Sequence, residues 1–303
     1  MHLRGLIAAP FTAMKKDYSI NLDEISKYAQ LLIKNNVSGV FICGTSGEGM
    51  SLTTNERKQI AEEWVKYATA NFKIIVHIGD TSVESSKTLM AHAEKIGASA
   101  VGMIGPCFFK PSSVDVLVDY CKEVASSAPK MPFYYYHMPS MNGIAFSMRT
   151  FLEKAVDKIP NLTGVKYTYE DLMDFHLCQK FENGKFDMLF GRDELLLCGL
   201  TLGAKGAVGS TYNFMAPLYN EIIAKFNVGD IKSARALQGQ SMEIIRLIVS
   251  SGNSFMSNCK HIMSRFGLEL GTVRKPLVYT TDKQAEELNK KLDAMGFAEV
   301  CNE

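Results

Sequence analysis

The chain has 303 residues, 47% hydrophobic and 21% charged, a balance that excludes a disordered or fibrous protein and provides enough apolar surface for a large core. Thirty-three Lys and Arg offset 32 Asp and Glu to a net charge of +1, which excludes nucleic-acid binding driven by phosphate neutralisation. Seven cysteines, odd in number and without a C-x-x-C pair, argue against a disulfide framework or zinc knuckle and read as thiols in a reducing cytoplasm. Met1 to Gly5 carry no signal-like apolar core. No apolar run reaches the roughly 18 residues a membrane helix needs, since the stretch from Leu195 to Ala204 is broken by glycine and closed by Lys205, so a soluble chain with no membrane partner is expected.

Short apolar runs alternate with amphipathic segments about every 30 residues, the length of a βα unit. Eight strands are predicted: Gly5–Pro10, Ser38–Cys43, Lys73–Gly79, Ala100–Gly105, Pro132–His137, Leu162–Tyr167, Phe186–Gly191 and Ala204–Gly209. Most are continuously apolar, as expected of parallel strands covered on both faces. Between the first two, Leu22, Ile25, Ala29, Leu32 and Ile33 are spaced to share one helix face, and a later helix opens with Thr53 and Glu56 at capping-box spacing. Eight crossovers of one hand close most economically into an α/β fold of the (β/α)8 TIM-barrel type, and no G-x-G-x-x-G follows the first strand to favour an open dinucleotide-binding sheet. Beyond Phe226 the strands cease. Helical patterns over Asp230–Ser250, Ser254–Phe266 and Thr281–Met295 predict a C-terminal three-helix extension, dividing the chain into a barrel over 1–228 and a packed helical subdomain over 229–303.

In such barrels the working groups lie at the carboxyl ends of the strands. After strand 2, Gly44-Thr45-Ser46-Gly47-Glu48-Gly49 offers two hydroxyls and backbone N–H groups suited to a small carboxylate, although an ordinary glycine-rich turn has the same composition. Lys166 closes the apolar run of strand 6. Desolvated in a barrel mouth, its amine would lose its proton and could attack a ketone, whereas a snorkelling or ion-paired lysine is the alternative. Strand 5 ends in an aromatic run, Tyr134-Tyr135-Tyr136-His137, from which Tyr136 or His137 could relay protons, while packing alone would explain the other tyrosines. Gly191-Arg192-Asp193-Glu194 after strand 7 and Gly209-Ser210-Thr211-Tyr212-Asn213 after strand 8 suit a polyhydroxylated ligand, or equally a helix cap. Six histidines lie too far apart in the pattern to build a metal site, and no metal or other cofactor is expected.

Taken in order, the Gly44 to Glu48 loop, the Tyr136 to Pro139 turn, Gly164-Val165-Lys166, Gly191 to Glu194 and Gly209 to Asn213 resemble the dihydrodipicolinate synthase/N-acetylneuraminate lyase family over nearly the whole chain. The Tyr-Tyr-Tyr-His-Met-Pro and Gly-Arg-Asp-Glu segments look like its N-acetylneuraminate lyases. The resemblance implies a Schiff-base aldolase that cleaves N-acetylneuraminate, a sialic acid, to N-acetylmannosamine and pyruvate. It makes Lys166 the nucleophile and Tyr136 the proton-transferring phenol. It assigns Thr45 and Ser46 to the pyruvate carboxylate, and Thr168, Gly191, Asp193, Glu194 and Ser210 to the rest of the substrate. It also implies a homotetramer. Two departures matter: no arginine follows the Tyr136 turn, as it does in the synthases, and the loop after strand 4, Pro106 to Pro111, carries Phe108 and Phe109 where many members lend a tyrosine to a neighbouring subunit. The alternatives are another pyruvate-dependent sugar-acid aldolase, of the 2-keto-3-deoxygluconate type, and a keto-acid-binding barrel without turnover.

Overall fold

In the computed structural model, which describes residues 2–302, eight strands close into one parallel barrel. They are β1 (Gly5–Ala8), β2 (Gly39–Ile42), β3 (Lys73–His77), β4 (Ala100–Ile104), β5 (Phe133–His137), β6 (Leu162–Tyr167), β7 (Asp187–Phe190) and β8 (Gly206–Gly209), and β8 pairs back onto β1. The predicted strands are found in place, β6 with the predicted bounds and the other seven shortened by a residue or two where the backbone turns out of the ladder. Around them run α1 (Glu24–Lys34), α2 (Thr54–Val65), α3 (Val83–Lys95), α4 (Val114–Ala125), the single turn α5 (Pro139–Asn142), α6 (Met148–Ala155), α7 (Leu172–Lys180), α8 (Leu196–Thr201) and α9 (Ala216–Asn227).

Strand geometry sends alternate side chains to opposite faces. One set, including Ile7, Phe41, Ile75, Ile104, Tyr134, Tyr136 and Leu189, fills the barrel interior, while the other packs outward against the helices in a larger core. The capping box of α2 is formed: Thr53 N–H donates to Glu56 Oε2 at 2.8 Å and Glu56 N–H to Thr53 Oγ1 at 3.2 Å. On α1 the stripe differs from the expectation. Ile25, Ala29 and Leu32 are buried, but Leu22 precedes the helix and Ile33 is 45% exposed. At about 100° per residue Ile33 falls off one edge of the stripe, and Tyr28 completes the opposite edge instead.

The three helices of the extension are α10 (Ile231–Ser250), α11 (Phe255–Met263) and α12 (Asp282–Ala294), capped by Asp230, Ser254 and Thr281. Helix α10 lies along α9, and Ile244, Ile248, Ile262, Met263, Leu288 and Leu292 join the outer core. Among the described residues no helix is long and apolar enough to cross a membrane. The extension brings the first turn of α11 to the carboxyl ends of the strands, where Phe255 and Met256 overhang the barrel mouth.

Candidate active site at the barrel mouth

On β6, Val165 and Tyr167 face the helices, so Lys166 faces inward. It pairs in register with Tyr136 of β5, which sets amine and phenol side by side. The Lys166 Nζ lies 4.0 Å from the centre of the Phe41 ring and 3.9 Å from that of Tyr136. Phe41 reaches this position because Gly102 of β4 has no side chain: a Cβ there would strike its ring. Lys166 is 4% exposed and makes no ion pair among the described residues. Burial lowers its pKa to about 7, against an opposing pull from Asp193, so a large share of the amine is neutral near neutral pH.

The Tyr136 hydroxyl is 3.3 Å from Thr45 Oγ1 and contacts Met138 Sδ at 2.8 Å. Burial pushes its pKa up to about 12, against the pull of the Thr45 hydroxyl, so the group is a neutral phenol that donates and accepts rather than a phenolate base. The Gly44 to Gly49 loop is tightly wound. Glu48 N–H and Gly49 N–H are spent inside it on the Thr45 and Gly44 carbonyls, and Cys43 and Glu48 take left-handed φ values of 55° and 54°. The Thr45 and Ser46 side chains project toward the cavity, and Ser46 Oγ meets Ser210 Oγ at 2.8 Å, joining the β2 and β8 loops. Glu48 turns away from the cavity. Its Oε1 is 2.6 Å from Lys260 Nζ of α11 in a pair whose side chains are both 1% exposed, and its Oε2 accepts Arg274 N–H at 2.8 Å.

Across the mouth, Thr168 Oγ1 is buried on the side of the Tyr136 hydroxyl, whose pKa it also helps to lower. Gly191 packs so closely that a Cβ would collide with this hydroxyl and with the Tyr167 carbonyl, so only glycine lets the β6 and β7 ends approach. Asp193 is anchored rather than free: its Oδ2 accepts Thr211 N–H at 2.8 Å and Thr211 Oγ1–H at 2.6 Å, which leaves Oδ1 as its available acceptor. Glu194 is half-buried, and burial together with the Asp193 charge raises its pKa. Thr45, Ser46, Tyr136, Lys166, Thr168, Gly191, Asp193, Glu194 and Ser210 all line one cavity of about 280 Å³.

His137 is not there. Being one residue beyond the inward Tyr136, it points outward among Tyr135, Tyr167 and Tyr169, and burial lowers its pKa to about 4. The expectation that it could relay protons is thereby corrected. His77 at the end of β3 does face inward, with its ring perpendicular to Tyr136 at 6.0 Å. Arg57 donates to the His77 carbonyl at 2.7 Å, and burial followed by the Arg57 charge drives the imidazole pKa well down, so it stays neutral. Sequence reasoning missed Phe41, Met138, Ile245, Phe255 and Met256, apolar groups whose facing no local pattern reveals. Among the described residues no three His, Cys, Asp or Glu side chains converge in a way that could hold a metal ion.

This arrangement can be set beside known proteins. The signature of the dihydrodipicolinate synthetase family matches residues 2–295. N-acetylneuraminate lyase A of Xenopus laevis is 45% identical over 278 residues, 91% of this chain and 90% of its own. Among solved structures, the Proteus mirabilis N-acetylneuraminate lyase superposes with a TM-score of 0.94 at 42% identity, covering 98% of this chain and 100% of that one. A catalytic lysine mutant of the Ruminococcus gnavus sialic acid aldolase superposes with a TM-score of 0.92 at 28% identity, over 99% of both chains. Since the likeness in sequence and in barrel runs almost end to end, the chain belongs to the dihydrodipicolinate synthetase family.

Proposed function

We propose that this chain is a class I aldolase, an N-acetylneuraminate lyase that reversibly splits N-acetylneuraminate into N-acetylmannosamine and pyruvate. The observation that carries the reading is Lys166, an amine with no counter-ion among the described residues, buried at the end of an inward strand face and lining a cavity of substrate size. In the cleavage direction its neutral Nζ adds to C2 of the open-chain keto acid, and loss of water gives a protonated imine. The C4 hydroxyl then gives up its proton and the C3–C4 bond breaks. Its electron pair passes into the imine as an enamine, and the aldehyde sugar departs. C3 takes a proton, and water hydrolyses the imine to pyruvate and free amine. Tyr136 relays protons along this path, passing its own as it receives another. Thr45 and Ser46 hold the carboxylate, while Thr168, Gly191, Asp193, Glu194 and Ser210 bind the remainder of the sugar acid. No step calls for a metal or an organic cofactor.

The reading includes a homotetramer in the cytoplasm, in keeping with the resemblance and with cysteines that form no disulfide among the described residues. It also divides the chain into a barrel over 1–228 and a helical subdomain over 229–303, supported by β8 ending at Gly209 and by the purely helical character of α10 to α12. The substrate test is pyruvate release from N-acetylneuraminate and from 2-keto-3-deoxygluconate, compared on the purified protein. A higher kcat/KM on N-acetylneuraminate is expected. Preference for the other acid would reassign the substrate, and release from neither would favour a binding barrel.

A further inference from the structure

We propose that Arg192 is a positioning residue of the polyol subsite: it fixes Glu194 as an ionised acceptor turned to the cavity, and so sets the preference for a sugar-acid tail over pyruvate alone. This rests on the aldolase reading above. Arg192 bridges two loops at the rim, with Nη1 donating to Glu194 Oε1 at 3.2 Å after β7 and Nη2 to Glu170 Oε1 after β6. Its side chain is 21% exposed and its Nε is buried without a partner, so the guanidinium is pinned between the carboxylates and not a swinging surface arm. A planar fork between two carboxylates fixes direction as well as charge.

The consequence follows from what each carboxylate has left. Asp193 Oδ2 is consumed by Thr211, and Glu194 Oε1 by Arg192, so one oxygen of each remains for substrate hydroxyls. A hydroxyl tail needs acceptors, and a protonated carboxyl would offer one fewer. The charged and titratable groups facing Glu194 are Asp193 and Arg192 of its own loop and Tyr212 and Tyr219 from the β8 side, with Glu170 beyond Arg192 and the uncharged Gln238 of α10 donating to the Asp193 carbonyl. Burial and Asp193 both raise the Glu194 pKa; its own backbone N–H and then Arg192 oppose them, Arg192 being the only cation that does so among the described residues. Pyruvate ends at the carbon next to the imine and has no tail to reach this subsite.

The test is Arg192→Leu, read as KM for N-acetylneuraminate cleavage and as the pyruvate concentration dependence of borohydride trapping at Lys166, between pH 6 and pH 9. The sugar-acid KM should rise about tenfold to a hundredfold at neutral pH, the range for losing a hydrogen bond to a charged group. Relative to wild type the rise should be largest at low pH and lessen as pH rises, because losing Arg192 moves the Glu194 pKa further up. The pyruvate dependence should stay within about twofold of wild type. Arg192→Lys, which keeps the charge without the fork, should restore the wild-type pH profile with an intermediate KM. Unchanged sugar-acid KM, a parallel weakening of pyruvate, or a pH-independent loss in both variants would overturn the assignment. If Arg192→Leu does not fold, Arg192→Lys decides alone: a sugar-acid KM equal to wild type counts against the proposal, and a raised one with the pyruvate dependence unchanged supports it. Failure of the wild-type protein to cleave the sugar acid would instead overturn the aldolase reading.

Discussion

An ammonium at position 166 would sit between the Phe41 and Tyr136 rings with no carboxylate of the described residues in hydrogen-bond reach, and burial favours its losing the proton. With a pKa of about 7, the reactive fraction changes across the physiological range. Borohydride trapping with pyruvate should therefore slow about tenfold for each pH unit below that point and level off above it; a rate flat from pH 5 to pH 8 would contradict the desolvated amine. The same shift bears on stability. Between about 7 and the ordinary lysine value of 10.5 the unfolded chain binds the proton that the folded chain has lost, so this group's penalty is full below that window and is relieved as pH rises through it. Lys166 was legible in the sequence because a lysine at the end of an apolar strand is anomalous. Its companion Phe41 was not: in an apolar run it carries no sign of which face it takes, and its place depends on the missing side chain of Gly102, on another strand.

At the scale of the strand, the period of two decides which members of a motif face the cavity. Tyr136 and Lys166 are register partners on adjacent inward faces, whereas His137, one step on, is lost to the outer core. The β strands themselves were plain in the sequence, since buried parallel strands are continuously apolar, but that same lack of alternation hid their facing. Close approach between strand ends is the second element-level device. Gly191 gives the β6 and β7 loops contact distance, and Gly191→Ala would push Thr168 and the Tyr167 carbonyl aside. We expect a sugar-acid KM at least tenfold higher, with Lys166 still trapped by pyruvate; kinetics equal to wild type would show that the approach is not needed.

Over the whole molecule, the C-terminal helices complete the site as well as the core. Phe255 and Met256 of α11 close one wall of the cavity, and five residues along the same helix Lys260 reaches Glu48 in the loop that carries Thr45 and Ser46. Lys260 Nζ also donates to the Thr272 carbonyl at 2.6 Å, and Arg274 ties the segment after α11 to Glu56 of α2 and to the Ser51 carbonyl. No local pattern announces a pair so distant along the chain, although three helices with clear caps were readable beyond the barrel. Removing one partner leaves the other charge buried alone, so Lys260→Met should cost about 3–5 kcal/mol in denaturant unfolding. A loss below about 1 kcal/mol would mean that solvent reaches Glu48.

All of these assignments depend on one nitrogen. Incubating the protein with pyruvate and borohydride, followed by peptide mass analysis, should find a 1-carboxyethyl group on Lys166 Nζ and none in Lys166→Ala, because hydride captures the imine formed there with loss of water. An unmodified Lys166 peptide, or the same adduct on a different lysine, would contradict the account.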